Sequence, residues 1–560
     1  MKITFYGVRG SNGIILITTK RGKAGSVKID LNTYTGVQDI TSTTPLMNTR
    51  EQLYAEEIRY RAIGQSPLTF QFNPNALNYD TDFVGDVTKN NSLVKNVNLN
   101  INGGSENLRV NFNTTLFDQD GVLLNSGFQR LTNRLTVDFT KNKFKAFASV
   151  GFTTEDTEQE PWALYELSIS QRPWQPGIND ITSSGENTFD IPVRNAILYS
   201  YLSRELENID ERKVRSNNIS LNLQYELLEG LEFKLNLGRN NYNYERKFFR
   251  PQYLVRDFSG DINPTASRAQ ALLNEDYIST QRETIEGIFN YKKSFDKHNL
   301  ALTGVISYEK FNSKSFGVGV IFDENASNDI QTLGAGADGI APTSNFDNST
   351  LAGKMFRVQY NYDGKYLLSG TYRRDGSSKF APSNKYGDFF GFSAGWNIHD
   401  EKWFQDSDAL SFINALKLRG SWAELGNQNI PSYAFQPIIE AGINYPFGPN
   451  EAVSFGQTQR RFVDKNIRWE KSTSSNVGLD ATFLDNRLTF SADFYQRDIS
   501  DMLLQERLPP STGTYHPNGG GYDVKVINAG DMTNKGMEFA LSYKDQTESG
   551  LKYTISSTLN

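Results

Sequence analysis

The chain alternates polar and apolar residues over short stretches. Asn96-Val97-Asn98-Leu99-Asn100-Ile101-Asn102 puts Asn at every even position and an apolar residue at every odd one. Asn218-Ile219-Ser220-Leu221-Asn222-Leu223-Gln224-Tyr225 does the same, as do Leu231–Leu237 and Arg134–Phe139. A strand sends successive side chains to opposite faces, so each stretch has one dry face and one wet face. About seventeen such segments follow one another, starting near Ser26, Leu93, Asn107, Arg130, Phe144, Asn217, Leu231, Arg282, His298, Lys354, Tyr366, Asp388, Leu416, Thr473, Leu488, Gly536 and Leu551.

The connections carry a second pattern. Tight turns such as Gly103-Gly104-Ser105, Glu229-Gly230 and Asp363-Gly364-Lys365 alternate with long linkers. The linkers run about Thr154–Ser216, Asn241–Gln281, Phe311–Gly353, Glu424–Ser472 and Ile499–Lys535, with one partial exception around His399–Ala415. Short turns at one end and long loops at the other mark an outer-membrane barrel, and a β-sandwich has no reason to keep that asymmetry. The expected fold is all-β: a transmembrane antiparallel up-and-down β-barrel. One helix is expected inside the first long connection, capped by Asn48 and stopped at Gly64, with Leu53, Glu57 and Arg61 at helical spacing.

Composition narrows this further. Hydrophobic residues are 38% of 560 and mean hydropathy is -0.53, so the apolar run of roughly 20 residues that a spanning helix needs is missing. Aromatics reach 12%, with 27 Tyr and 37 Phe, which disfavours a disordered chain and suits the aromatic girdles of a barrel. A net charge of -6 disfavours nucleic acid as a partner. The absence of cysteine excludes disulfides and zinc-thiolate sites.

Four stretches, in order, resemble one family. Tyr6-Gly7-Val8-Arg9-Gly10-Ser11-Asn12-Gly13-Ile14-Ile15-Leu16-Ile17-Thr18-Thr19-Lys20-Arg21-Gly22 resembles the end of the plug domain in SusC/RagA-type TonB-linked outer-membrane proteins. Arg373-Arg374-Asp375-Gly376-Ser377-Ser378-Lys379-Phe380 resembles a barrel motif of that family. So do Trp469-Glu470-Lys471 with Asn476–Asp480, and Asn528-Ala529-Gly530-Asp531-Met532 with Asn534–Glu538. In the first stretch Gly7, Gly10 and Gly13 permit tight turns, and Ile14–Thr19 reads as a short buried strand. Tyr6, Gly7, Arg9, Gly10, Asn12 and Gly13 carry this plug motif.

The expected division is 1–24 as the C-terminal end of a plug and 25–560 as barrel. No apolar leader follows Met1, and Leu551–Asn560 reads as a strand still in progress, so both ends are expected to be internal. Plugged transporters of this type use about 22 strands. The resemblance implies a non-enzymatic importer in the outer membrane of Bacteroidota-like bacteria, with no cofactor. It implies a SusD-like surface lipoprotein as lid, the TonB-ExbB-ExbD machinery as motor, and an oligosaccharide or peptide as cargo. A passive porin-like barrel, a siderophore or metal-chelate importer, and a secreted β-protein or glycan-active enzyme are the competing classes.

Other chemistry is sparse. His298, His399 and His516 are far apart and in no H-E-x-x-H pattern, so they read as turn residues rather than metal ligands. Gly334-Ala335-Gly336-Ala337-Asp338-Gly339 matches G-x-G-x-x-G, but Ile340-Ala341-Pro342 follows where a helix is required. Asp323, Glu324, Asn325, Asn328 and Asp329 read as a solvated acidic loop in preference to a Ca²⁺ site. Trp162, Tyr165, Arg172 and Trp174, in the longest linker, are the candidate ligand contacts, because sugars stack on flat aromatic faces and hydrogen-bond to Arg. The alternative is that they anchor the loop or contact the lid.

Overall fold

A computed structural model describes residues 10, 19–41, 45–66, 76–161, 163–175, 177, 187–188, 202, 204–256, 261–264, 267–437, 439–442, 444–459, 462–509, 511, 515–516, 521–522 and 524–560. Its body is a 17-stranded sheet. The strands are β1 (Gly25–Gln38), β2 (Ser92–Gly104), β3 (Leu108–Asp120), β4 (Gly127–Lys141), β5 (Phe144–Glu158), β6 (Ile209–Leu228), β7 (Leu231–Arg250), β8 (Leu272–Phe295) and β9 (His298–Ile321). They continue as β10 (Asp338–Tyr362), β11 (Tyr366–Ser377), β12 (Tyr386–Asn397), β13 (Ile413–Asn427), β14 (Glu470–Phe483), β15 (Leu488–Ser500), β16 (Met532–Gln546) and β17 (Lys552–Leu559). Each pairs antiparallel with the next in sequence. This is an up-and-down meander with β1 and β17 at its margins, and among the described residues no ladder joins them.

Fourteen of the strands begin within four residues of the positions read from alternation, so the dyad pattern locates them. Three begin well before: β6 at Ile209 rather than Asn217, β8 at Leu272 rather than Arg282, and β10 at Asp338 rather than Lys354. These extensions lie on the long-loop side and shorten the linkers expected there. Their apolar residues, such as the adjacent Leu272 and Leu273, do not alternate with polar ones, so the pattern does not mark these stretches, and their neighbours' ladders hold them instead. The β9–β10 register shifts between Gly317, opposite Thr343, and Gly319, opposite Ile340. Pro342 falls in that shifted stretch, where the ladder needs no N–H from it.

The short turns at 105–107, 142–143, 229–230, 296–297, 363–365, 484–487 and 547–551 share one end of the sheet. The connection at 398–412 also lies there and holds the four-residue helix Lys402–Gln405. The long loops share the other end. The first carries helix α1 (Thr49–Ala62), where Asn48 accepts from Glu51 N at 2.9 Å and Glu51 Oε2 accepts from Asn48 N at 3.0 Å. This capping box satisfies two otherwise orphaned N–H groups. Gly64, past the helix end, has φ +69°, which a side chain would resist.

Candidate functional site at the inner wall and its mouth

The two faces of the sheet differ. Val97, Leu116, Leu131, Leu135, Phe152, Val477 and Phe494 are exposed on one face. In lipid this apolar face is the outer one. The other face is amide-rich and bonded to itself. Asn98 Nδ2 donates to Thr115 Oγ1 at 2.6 Å and Asn100 Nδ2 to Asn111 Oδ1 at 3.0 Å. Asn222 Nδ2 donates to Asn236 Oδ1 at 2.8 Å, and Asn236 Nδ2 to Glu286 Oε2 at 2.9 Å. On β13–β15, the Arg419 guanidinium reaches both Asp493 oxygens at 2.6 Å and Asp480 Oδ2 at 2.9 Å. These cross-strand pairs, some opposed and some diagonal, satisfy polar groups that a closed wall takes out of bulk water.

Residues 19–24 lie against this polar face, which makes it the inner one. Arg21 Nη1 pairs with Asp138 Oδ1 at 3.1 Å, and the guanidinium stands 4.3 Å from the Phe147 ring centre. Lys23 N donates to Asn102 Oδ1 at 2.9 Å, while Asn102 Nδ2 donates back to Arg21 O at 3.3 Å. Sequence reading missed Asp138, Phe147 and Asn102 as a seat for this segment. Their alternating positions mark their face and give no sign of what covers it. Of the expected plug residues, Gly10 is buried, whereas Tyr6, Gly7, Arg9, Asn12 and Gly13 lie outside the described residues.

At the long-loop end, three motifs far apart in sequence meet. Leu351, Phe380, Phe389, Ile430, Ile467 and Trp469 form one buried cluster. The Trp469 ring centre is 4.7 Å from that of Phe380 and 5.9 Å from that of Phe389, with its Nε1 donating to Lys385 O at 3.3 Å. Beside them Arg373 Nε donates to both oxygens of Asp375, at 2.9 and 2.8 Å, and Asp375 is fully buried. Glycine makes room on either side. A Cβ at Gly353 would stand 2.5 Å from Asp375 Oδ1, and one at Gly387 would stand 2.7 Å from Phe389 Cζ. Lys379 Nζ donates to Ile430 O at 2.8 Å, and burial holds its pKa below the usual lysine range.

The motif after Ile527 joins the same knot. Asn528 Nδ2 donates to Arg468 O at 2.9 Å and to Asp501 O at 2.8 Å, and Arg468 N donates to Asn528 Oδ1 at 2.8 Å. Glu470 accepts from Asn427 Nδ2 and from Leu503 N, both at 2.9 Å. The motif residues therefore root the loops 378–385, 428–469 and 501–531 on the wall.

The candidate ligand contacts form a different group. Trp174 is 3% exposed, so its indole is packed into the protein. Arg172 Nη1 pairs with Glu56 Oε1 on α1 at 2.8 Å, tying the fifth connection to the first. Tyr165 is half-buried in the helix Leu164–Ile169, and Trp162 lies outside the described residues. A cavity of about 640 Å³ beside them is lined by Met47, Gln52, Asp80, Phe83, Gln171 and Arg172. His298 stacks on Phe295 at the short-turn end, with Nδ1 2.6 Å from Tyr360 Oη, and His399 packs by Leu416 in the connection after β12. His516 has no described side chain. Asp323 and Asp329 accept bonds from Asn325 and Ser327 within their own loop. The G-x-G-x-x-G stretch forms a 3₁₀ turn that runs into β10.

A one-after-another antiparallel wall, apolar outside and amide-lined inside, with loops rooted at one end, defines a large outer-membrane β-barrel. Residues 170–560 match the family described as TonB dependent receptor-like, beta-barrel, and the chain belongs to that family. Its members are outer-membrane transporters, not enzymes. TonB-dependent receptor P3 of Formosa agariphila is 28% identical over 558 residues, covering 97% of this chain and 51% of the relative. TonB-dependent receptor SusC of Bacteroides thetaiotaomicron is 24% identical over 578 residues, covering 96% of this chain and 53% of SusC. The chain thus spans about half the length of the curated relatives it matches. A solved structure of the RagAB peptide transporter superposes with a TM-score of 0.79 at 19% identity, covering 99% of this chain and 63% of that one. The SusC/RagA-type resemblance read from the four motifs holds.

Proposed function

We propose that this chain forms the conduit of a TonB-dependent importer whose cargo is an oligosaccharide, received together with a SusD-like surface lipoprotein. Residues 1–24 are then the end of the plug that closes the conduit, and Arg21 is its tether to Asp138 and Phe147. TonB-ExbB-ExbD acts through segments outside this chain. Translocation breaks no bond in the cargo.

The observation that carries the oligosaccharide reading is the inner wall itself. Its Asn, Ser, Thr and Gln side chains present paired donors and acceptors, which exchange readily with sugar hydroxyls. Trp162, Tyr165, Arg172 and Trp174 stand in this reading as residues of the mouth, with Arg172 holding α1 in place through Glu56. A peptide is the second reading, because the solved structure with this likeness is named as a peptide transporter.

The test deletes the complete gene from its host and follows uptake of fluorescent oligosaccharides and peptides by intact cells. Loss of oligosaccharide uptake, restored by the wild-type gene and abolished by a protonophore, is the expected outcome. Loss of peptide uptake alone would replace the cargo, and uptake indifferent to the protonophore would mark a passive pore.

A further inference from the structure

The inner-face mouth beside β6 and β7 holds a cavity of about 660 Å³. Arg204, Arg212, Arg246 and Arg250 line it, opposed by Glu160, Glu205 and Asp210. These residues come from the loop before β6 and from one end of the β6–β7 ladder, the start of β6 and the end of β7, where Arg212 lies opposite Arg246.

The counter-charges are already committed. Asp210 is gripped by two arginines: Arg246 Nε and Nη2 each reach it at 2.8 Å, and Arg212 Nη2 at 3.0 Å. Glu205 accepts from Asn208 Nδ2 at 2.5 Å and faces Arg268 Nη2 at 3.7 Å. Glu160 is exposed at the rim. Arg250 follows Arg246 by four residues on the same face and pairs by its backbone with Leu272, while its side chain, among the described residues, makes no hydrogen bond or ion pair. Behind the cavity wall Arg268 is partly buried, and burial first, then Arg250 and Arg204, push its pKa down to about 10. Arg246 also faces Asp276 Oδ2 at 3.8 Å, so Arg250 is a cation of this lining that no described carboxylate engages, and an arriving anion can pair with it.

We propose that this cavity binds an anionic substituent, a carboxylate or a sulfate, on the imported oligosaccharide, so that the receptor selects an acidic glycan. An arginine fork takes two oxygens of either group, the planar pair of a carboxylate or one edge of a sulfate tetrahedron. The amide-lined wall below the cavity matches the ring hydroxyls between successive charges, which favours a glycan over an acidic peptide. The Arg246 guanidinium lies 4.8 Å from the Phe248 ring centre, so its plane is fixed before the ligand arrives. This inference rests on the oligosaccharide reading above.

The test uses the full-length receptor in detergent and titrates four probes: hexagalacturonate, the same oligomer with its carboxylates reduced to hydroxymethyl groups, a sulfated galactan oligomer, and hexaglutamate. Wild-type protein is expected to bind hexagalacturonate or the sulfated oligomer ~10- to 100-fold more tightly than the neutral one, and less tightly as salt rises. Which of the two binds separates carboxylate from sulfate. Arg250→Gln removes the preference and leaves neutral binding unchanged, because Arg250 supports nothing else. Lys213→Gln, on the opposite face of β6, leaves both unchanged. Equal affinity for neutral and acidic glycans, or a preference that survives Arg250→Gln, overturns the site while import of oligosaccharide stands. Binding of hexaglutamate with no glycan bound overturns the glycan reading and this inference together.

Discussion

The buried ion pair on β11 offers the sharpest test of how the mouth is built. Arg373 and Asp375 are two residues apart on one strand, with side chains 5% and 0% exposed. One inner-face row runs Ile288, Val305, Met355, Arg373, Phe389 across β8–β12, so the guanidinium stands between a thioether and a phenyl ring. Asp375→Ala would remove the carboxylate that this buried guanidinium grips at 2.9 and 2.8 Å. Breaking a buried pair from one side costs about 3–5 kcal/mol. Arg373→Met with Asp375→Ala removes both charges and extends the apolar row of Ile288, Val305 and Met355. Replacing both partners by apolar groups is often near neutral, so the double variant should regain at least about 2 kcal/mol over Asp375→Ala alone. Urea unfolding of the full-length receptor in micelles, followed by tryptophan fluorescence, measures both. A cost for Asp375→Ala below about 1 kcal/mol, or a double variant that equals the sum of the singles, would refute the reasoning.

Trp469→Ala should cost about 3–5 kcal/mol, because it empties the space between Phe380 and Phe389. It should also release the loop 428–469 to limited proteolysis while the strands stay protected. Val477→Arg places a charge on the outer face and should cost about 2–4 kcal/mol in lipid, whereas Asn476→Arg, one residue away and facing inward, should cost far less. Refolding yields into vesicles compare them, and equal costs would mean the faces are misassigned. Burial lowers the Lys379 pKa in the folded protein, so the unfolded chain holds that proton more tightly. Stability should therefore rise with pH between the folded value and the ordinary lysine value and be flat below. The wild type minus Lys379→Met difference in urea midpoint, measured across that alkaline range, should show this slope, and a difference that falls with pH would contradict it.

How the chain divides its information is visible in particular residues. The strand at Asn96–Asn102 is legible because its period of two is imposed by two solvents, lipid outside and water inside. The helix from Thr49 is legible because Asn48 and Glu51 cap it locally. Both signals lie within a few neighbouring residues. The start of β10 at Asp338 was not legible, since beyond the apolar band neither face is dry and only the ladder to β9 holds the strand.

Long-range meetings lay beyond the sequence altogether. Motifs at 373–380, 469–471 and 528–531 looked like separate family signatures, and only the meander brings them to one knot on the inner rim. Trp174 reads along the chain either as a ligand contact or as a loop anchor, and only the tertiary structure shows that its side chain is packed into the protein. Arg204, Arg212, Arg246 and Arg250 are unremarkable along the chain and become a cation cluster only where the start of β6 and the paired end of β7 meet the loop before them. Local periodicity therefore determined which residues are strands and which way they face. Register, summed over strand after strand, decided which side chains share a site, because it brings together residues whose separation in the chain carries no signal of their contact.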